Sequence, residues 1–141
     1  MSLEDRFAIL DVIGRYSQAW DAKDADAYAG CFAEDGIVEV YTPAREEPVQ
    51  RHVGRAAIHA WAHRRLTGGL ASVRTRHHQT GVVFLDLTPE AARTRSTLLE
   101  THVRPEDRAP RPMFTGVYQD RWRKTAEGWR LTLREVRLDV G

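Results

Sequence analysis

Residues 73–86 read VRTRHHQTGVVFLD, and the spacing of the apolar residues changes at this stretch. Before it, apolar residues recur every three or four positions, which is typical of amphipathic helices. From it onward they alternate with polar residues, which is typical of strands with one buried face. Strands are therefore predicted at 73–86, 91–103, 113–124 and 129–140. A turn at 88–90, a Pro-rich connection at 104–112 and a hairpin loop at 124–128 separate them.

Three helices are predicted N-terminal to this stretch. The first covers about residues 3–20, with Ser2 as N-cap and Asp5 in the position of a weak capping box. A second, short helix begins after Asp24 and is expected to stop at the turn Glu34-Asp35-Gly36. The third, residues 54–66, reads GRAAIHAWAHRRL. Between the second and third helices a strand is predicted at 36–42, and residues 43–54 are expected to form a charged loop.

This order of elements predicts one α+β domain over residues 1–141. We expect a cone-shaped, curved and mainly antiparallel sheet packed on three helices from the N-terminal half. Long strands in one sheet must twist, so helices that cover a curved sheet enclose an interior space. The first helix is predicted to end at the mouth of that space.

The composition excludes several classes of protein. Lys and Arg number 21 and Asp and Glu number 20, whereas a protein that mainly binds nucleic acid is expected to be clearly basic. Cys31 is the only cysteine, so no intramolecular disulfide can form, and we interpret it as a small core residue. No apolar run approaches the roughly 18 residues of a membrane span. We expect a soluble, cytoplasmic protein without a nucleic-acid or membrane partner.

Adjacent histidines in the predicted strand at 73–86 are the first candidates for chemistry. Neighbours in a strand point to opposite faces, so His77 shares a face with Gln79 and Val83, whereas His78 shares a face with Val82 and Phe84. Periodicity does not decide which histidine faces inward. The inward one is either a hydrogen-bonded structural residue or a general base, since imidazole exchanges protons near neutrality.

Tyr16 and Asp21, at the end of the first helix, are the second candidates. A carboxylate can orient an imidazole or abstract a proton, and a phenol can donate a hydrogen bond to a substrate carbonyl. Together with a histidine they suit proton transfer next to a carbonyl. On an ideal helix the two residues are about 140° apart, so both reach one cavity only if the helix ends or loosens near Trp20.

His59 and His63 have the spacing of metal ligands on the third helix, but the run His-Ala-Trp-Ala-His lacks a central glutamate. Both lie toward the flank of the apolar stripe. The sequence also lacks a Gly-rich phosphate loop and a Gly-flanked serine nucleophile. We therefore predict no metal ion and no organic cofactor.

Several short phrases resemble the SnoaL-like branch of the nuclear-transport-factor-2-like superfamily over nearly the whole chain. They are Tyr16…Trp20-Asp21…Asp24, Phe32-Ala33-Glu34-Asp35-Gly36, Arg76-His77…Thr80, Gly116-Val117-Tyr118-Gln119-Asp120-Arg121-Trp122 and Gly128-Trp129-Arg130-Leu131. This superfamily includes scytalone dehydratase, bile-acid 7α-dehydratase, polyketide cyclases and small subunits of ring-hydroxylating dioxygenases. The chain departs from it at Gly81, where many relatives carry Asn, and in the charged loop at 43–54.

The resemblance implies that a tyrosine and an aspartate at the end of the first helix act with a strand histidine, which aligns with His77. It thus implies a cofactor-independent dehydratase, isomerase or cyclase that acts on a small apolar, carbonyl-bearing ring compound. Asp21 and His77 would form the proton-transfer pair, and Tyr16 would donate to the carbonyl. The residues expected to contact the substrate are Trp20, Phe32, Tyr41, Trp61, Tyr118 and, through its charge, Arg134.

Two alternatives to this function are a ligand-binding or assembly module without catalysis and an enzyme similar to epoxide hydrolases. We also expect a homodimer or larger homo-oligomer formed through the exposed face of the sheet. Val82 and Phe84, or Val117 and Val136, would form apolar patches there.

Overall fold

The elements follow the predicted order, with one additional strand. A computed structural model describes residues 2–141. The elements are α1 (Leu3–Asp21), α2 (Ala25–Ala29), β1 (Phe32–Tyr41), β2 (Gln50–Val53), α3 (Arg55–Thr67), β3 (Arg74–Leu87), β4 (Ala91–Val103), β5 (Arg111–Thr125) and β6 (Gly128–Leu138).

The strands form one curved sheet in the order β2-β1-β6-β5-β4-β3, with α1 and α3 packed against it and α2 packed on those two helices. Neighbouring strands are antiparallel except β1 and β6, which are parallel. The predicted α+β class with a mainly antiparallel sheet is confirmed. Because the sheet does not close on itself, β3 is an edge strand that pairs only with β4.

The predicted cap of α1 is confirmed. The Asp5 backbone N–H donates to Ser2 Oγ at 3.1 Å, and the Ser2 hydroxyl donates to Asp5 Oδ2 at 3.0 Å. The Asp5 carboxylate also accepts from the Trp129 indole at 2.8 Å and from Lys124 Nζ at 2.9 Å. Asp5 therefore completes the cap of α1 and attaches the first turn of the helix to the β5–β6 hairpin.

The region between α2 and α3 differs from the prediction. Strand β1 begins at Phe32, and residues 33–36 form a register shift against β6 rather than a turn before the strand. Within the expected loop at 43–54, the strand β2 pairs antiparallel with β1, from Ile37 opposite Val53 to Val40 opposite Gln50. Charged and proline-rich residues concealed this strand because it is short and lies at the sheet edge, where such residues are tolerated.

Gly81 breaks the alternation of β3. The pairing with β4 shifts register between Thr80 and Val83, and Gly81 has a φ of 63°. Val82 and Phe84 consequently lie on the same inward face as His77, packed against the core. The expectation that Val82 and Phe84 form an outer patch is wrong, because one extra residue moves every later side chain to the opposite face.

Among residues 2–141, no helix is long and apolar enough to cross a membrane.

Gly14 and Gly81 form a matched pair for testing the role of the bulge. A Cβ added to either glycine would meet no atom within 4 Å, but Gly14 is helical whereas Gly81 has a positive φ. We predict that Gly14→Ala raises the free energy of unfolding by about 0.5–1 kcal/mol, through helix propensity. Gly81→Ala should lower it by about 1–2 kcal/mol, because a Cβ disfavours the left-handed region. Urea unfolding measures both, and a stabilised Gly81→Ala protein would contradict this account of the bulge.

Candidate active site

The last residue of α1 contacts the edge strand β3. Asp21 Oδ1 accepts from the Thr75 hydroxyl at 2.7 Å and lies 2.9 Å from Nδ1 of His77. Asp21 Oδ2 accepts from the His77 backbone N–H at 3.0 Å. This N–H belongs to the free edge of the sheet, so the carboxylate satisfies a donor that no strand pairs with. Asp21 therefore holds both the backbone and the ring of His77 in position.

A left-handed residue ends α1 at this contact. Lys23 has a φ of 64°, and its backbone N–H donates to the Trp20 carbonyl at 3.0 Å. The Lys23 ammonium donates to the Val73 carbonyl at 2.6 Å, immediately before β3 begins. The chain thus turns away after Asp21, and α1 is joined to β3 from both sides of the turn.

The other nitrogen of the His77 ring meets a second carboxylate. Nε2 lies 3.2 Å from Oε2 of Glu100, the residue directly opposite His77 on β4. Glu100 Oε1 lies 2.8 Å from Nε2 of His102. Asp21, His77, Glu100 and His102 therefore form one chain of titratable groups, and their side chains are each no more than 11% exposed.

Sequence reasoning missed Glu100 and His102, although a signal for them existed. In β4 the residues Leu98, Glu100 and His102 alternate, and all three are buried. An acid and an imidazole on the buried face of an alternating strand are rare unless they are paired or functional. The polar residues on the buried face of the predicted strand at 91–103 therefore indicated Glu100 and His102.

The geometry favours the imidazolium form of His77. Ionised carboxylates only accept hydrogen bonds, so a ring held between two of them donates from both nitrogens. Burial alone lowers the pKa of His77, but the hydrogen bonds and charges of Asp21 and Glu100 outweigh it and raise the pKa to about 9. For Asp21 and Glu100, burial raises the pKa, but the hydrogen bonds from their partners outweigh it, and both pKa values lie below the ordinary range.

His77, Glu100 and His102 line an aromatic cavity of about 200 Å³. Four of the predicted substrate or catalytic side chains also line it: Tyr16, Trp20, Trp61 and Tyr118. Asp21 is not part of the wall and lies behind His77. Tyr16 and Asp21 therefore remain apart, as the helix geometry requires, and His77 connects them, with its ring centroid 6.4 Å from that of Tyr16.

Tyr16 lies between a second phenol and a buried arginine. The Tyr28 hydroxyl donates to the Tyr16 hydroxyl at 3.1 Å. The Arg134 guanidinium lies 4.1 Å from the Tyr16 ring centroid and 3.9 Å from that of Tyr118. Burial raises the pKa of Tyr16 and the charge of Arg134 opposes that rise, so Tyr16 keeps its proton at neutral pH. The Tyr16 phenol is thus a donor at the cavity wall.

Three predicted contact residues lie outside the cavity wall. Arg134 is fully buried beneath the two tyrosines, and its Nε and Nη2 each lie 2.8 Å from Asp120. Phe32 is fully buried in the core at the start of β1. Tyr41 lies near the end of β1 under the Arg137 guanidinium, 4.2 Å from its ring centroid. Direct substrate contact by these three residues is therefore not supported by their positions.

The predicted pair of helix histidines is separate from this site. His59 Nε2 lies 2.6 Å from Asp26, and the His59 and His63 rings stack with centroids 6.2 Å apart. Within the described chain, from residue 2 onward, no three His, Cys, Asp or Glu side chains come together as a metal site would require.

A wider groove of about 580 Å³ lies between α1, α2 and the β5–β6 hairpin. It reaches the side chain of Cys31, which is buried in the core as predicted. Burial raises the pKa of the Cys31 thiol to about 11, so it is protonated at neutral pH and a poor nucleophile. The acid–base groups described above converge on the smaller cavity instead.

Comparison with known proteins places the chain in a family. The model of the SnoaL-like domain matches residues 1–135, and the chain belongs to this family. No curated protein matches it. Among solved structures, it is similar to a protein of the nuclear-transport-factor-2-like type with a cystatin-like fold from Novosphingobium aromaticivorans. That match has 27% identity and a TM-score of 0.79 and covers 96% of this chain and 82% of the other.

Two further solved structures share the fold. A candidate scytalone dehydratase from Novosphingobium aromaticivorans has 24% identity and a TM-score of 0.79, covering 98% of this chain and 86% of the other. ActVI-ORFA from Streptomyces coelicolor has 22% identity and a TM-score of 0.79, and the match covers 95% of this chain and 96% of the other. The predicted family and fold are therefore confirmed.

The pKa of His77 predicts how stability depends on pH. A pKa raised from 6.5 to about 9 in the folded protein stabilises it fully below about pH 6.5, and this contribution is lost as the pH rises through 9. We expect the free energy of unfolding to fall by on the order of 2–3 kcal/mol over this interval.

Urea unfolding at pH 6, 7.5 and 9.5 measures this slope. His77→Gln should remove the decline, whereas His78→Gln, which changes an exposed neighbour on the same strand, should retain it. Equal slopes in all three proteins would show that His77 is not charged in the folded state.

Proposed function

We propose that this protein is a cofactor-independent acid–base enzyme. It would remove water, shift a double bond or close a ring next to the carbonyl of a small apolar ring compound. One observation carries the proposal: the His77 imidazole is held between the Asp21 and Glu100 carboxylates on the wall of an aromatic cavity. A buried acid and base within 3.2 Å of each other can exchange a proton during a reaction.

A dehydration illustrates the roles. The Glu100 carboxylate takes the proton on the carbon next to the carbonyl, and the Tyr16 phenol donates a hydrogen bond to the carbonyl oxygen as negative charge develops there. The bond from carbon to the leaving hydroxyl breaks, and His77 supplies the proton that completes water from Nε2, whose carboxylate partner Glu100 has become protonated. Transfer of a proton from Glu100 back to His77 restores both groups.

Asp21 is a positioning residue in this scheme. It holds the backbone and the ring of His77 and does not reach the cavity. His77 is not the base in this scheme, because a ring with a pKa of about 9 carries its proton at neutral pH. Glu100 is the unprotonated partner, and it lines the cavity.

The cavity indicates the size and polarity of the substrate. A volume of about 200 Å³ is below the roughly 300–1,000 Å³ of pockets for drug-sized ligands, so it suits a compound of one or two rings. Trp20, Trp61 and Tyr118 would pack against those rings. The likeness to a candidate scytalone dehydratase agrees with a ring substrate, although that similarity is one of fold.

A ligand-binding role without catalysis is the second candidate. One observation favours it: both nitrogens of His77 are already paired within the chain, as in a structural network. An enzyme similar to epoxide hydrolases would need a water held among several polar partners at a carboxylate, and Asp21 is instead occupied by Thr75 and His77.

The proposal predicts exchange of protons next to a carbonyl. Incubation of one- and two-ring ketones with the protein in D₂O, followed by NMR, detects loss of the proton on the adjacent carbon without knowledge of the true substrate. For a ketone that exchanges, Glu100→Gln should lower the rate by about 10²–10⁴-fold. Asp21→Asn should lower it by a smaller factor, because the amide retains contact with His77 but does not stabilise its charge.

Glu106→Gln is the matched control, since Glu106 is an exposed glutamate in the connection between β4 and β5. Thermal melts of each variant exclude unfolding as the cause of a lost rate. If Glu100→Gln and Glu106→Gln retain equal exchange rates, Glu100 is not the base. If such ketones bind in the cavity without exchanging, the ligand-binding role is favoured.

The proposal includes a homodimer formed through the outer face of the sheet. After the bulge at Gly81, the apolar residues on this face of β3 are Val83 and Leu85, each 53% exposed. Val136, which was also considered for an outer patch, lines the cavity instead. Such exposed apolar side chains favour association.

Light scattering should then give a mass that is a multiple of 16.1 kDa. A Val83→Lys/Leu85→Lys double variant should lower that mass, whereas Val140→Lys, at an exposed apolar residue beyond the sheet, should not. A wild-type protein of 16.1 kDa at micromolar concentration would refute the dimer.

A further inference from the structure

An arginine of α3 lies at the edge of the cavity. The buried stripe of α3 consists of Ile58, Ala62 and Leu66, and Arg65 lies beside it, one turn after the half-buried Trp61. Arg65 is exposed and nevertheless lines the cavity, together with Val49 and Gln50, which are the other exposed members of the lining. These three residues therefore form the mouth.

The Arg65 guanidinium is free to bind a ligand. Some arginines of the described chain are paired, such as Arg134 with Asp120 and Arg55 with Glu127, and others, such as the exposed Arg95, are not. Among residues 2–141, Arg65 has neither an ion pair nor a side-chain hydrogen bond. An unpaired guanidinium at a cavity mouth presents a planar fork of donors that matches a carboxylate.

The cations at the inner end of the cavity are already paired. The His77 ring lies between the Asp21 and Glu100 carboxylates. Beneath Tyr16, the Arg134 guanidinium is paired with Asp120. Among the described residues, a carboxylate on a ligand therefore finds an unpaired guanidinium at the mouth of the cavity and none at its inner end.

We propose that the substrate is an apolar ring compound with a carboxylate on the side away from its reacting carbonyl. The carboxylate would bind Arg65 at the mouth, and the carbonyl end would lie at Tyr16, His77 and Glu100. The orientation of the substrate in the cavity rests on the proposed function. The inference adds to that function a chemical class of substrate, a carboxylate-bearing ring compound, and the residue that selects it, Arg65.

Binding of two matched probes tests the inference. The probes are 2-naphthoate and its neutral analogue 2-naphthamide, measured by calorimetry and by quenching of the fluorescence of Trp20 and Trp61, which line the cavity. The wild-type protein should bind the carboxylate more tightly. Arg65→Gln should weaken the binding of 2-naphthoate by about three- to tenfold and leave the affinity for 2-naphthamide unchanged. Arg65→Lys should retain part of the preference, since it keeps the charge but loses the fork.

Arg64→Gln is the matched control, because Arg64 is the adjacent exposed arginine on α3 and does not line the cavity. It should bind both probes as the wild type does. Added salt should weaken the binding of 2-naphthoate only. Equal affinity of the wild type for both probes, or equal loss of both in Arg65→Gln, overturns the inference and leaves the proposed chemistry standing. If neither probe binds the wild type, the cavity does not take ring compounds of this size, and the proposed function fails with the inference.

Discussion

The contact between the Asp21 carboxylate and β3 is the interaction on which the arrangement of the site depends. A negative charge at the C-terminal end of a helix is opposed by the helix dipole, so Asp21 needs compensation. It receives that compensation from the Thr75 hydroxyl, the His77 backbone and the His77 ring. The same contact covers a free N–H of the edge strand and determines where α1 lies against the sheet. Because Tyr16 is on α1 and Glu100 is opposite His77, the positions of the other site residues follow from this contact.

A second buried charge pair supports the opposite side of the cavity. Arg134 and Asp120 have fully buried side chains, and the Thr94 hydroxyl donates to Asp120 while accepting from the Trp122 indole. Burial of charges is costly unless they are paired, and removal of one partner typically costs about 3–5 kcal/mol. The pair holds a cation against the faces of Tyr16 and Tyr118, which is a favourable contact for an aromatic ring. Arg134 thus stabilises the Tyr16 and Tyr118 rings from beneath the cavity and does not contact a ligand.

The SnoaL-like fold by itself does not define a reaction, since one fold can host unrelated functions. In this chain three features of the cavity support the proposed class of reaction. Aromatic side chains line its wall, a phenol keeps its proton, and an imidazolium lies between carboxylates. Arg65 lies at the mouth of the cavity, away from the acid–base groups, so the two ends of the cavity differ. These features depend on β4 and α3 as much as on the helix that carries Tyr16.

The sequence alone determined the order and type of the elements except for the short edge strand β2. Apolar periodicity identified α1, α3 and the four long strands within a few residues, because burial of one face imposes a regular spacing on each element. The cap of α1 was also readable, since its interactions span only three residues. The pairing of Asp21 with His77 was inferred from resemblance to a family rather than from spacing, and the structure places the two side chains in contact.

Only the tertiary structure decided which side chains meet across strands. The bulge at Gly81 moved Val82 and Phe84 to the inward face of β3, and alternation cannot show a bulge because it assumes that none exists. Glu100 joined the site because the register of β4 sets it opposite His77, 23 residues away in sequence. Arg134 lay beneath the cavity rather than in it because Asp120 holds its guanidinium. Local sequence fixes the direction of a side chain relative to its own strand, whereas partners distant in the chain are set by register, sheet curvature and packing.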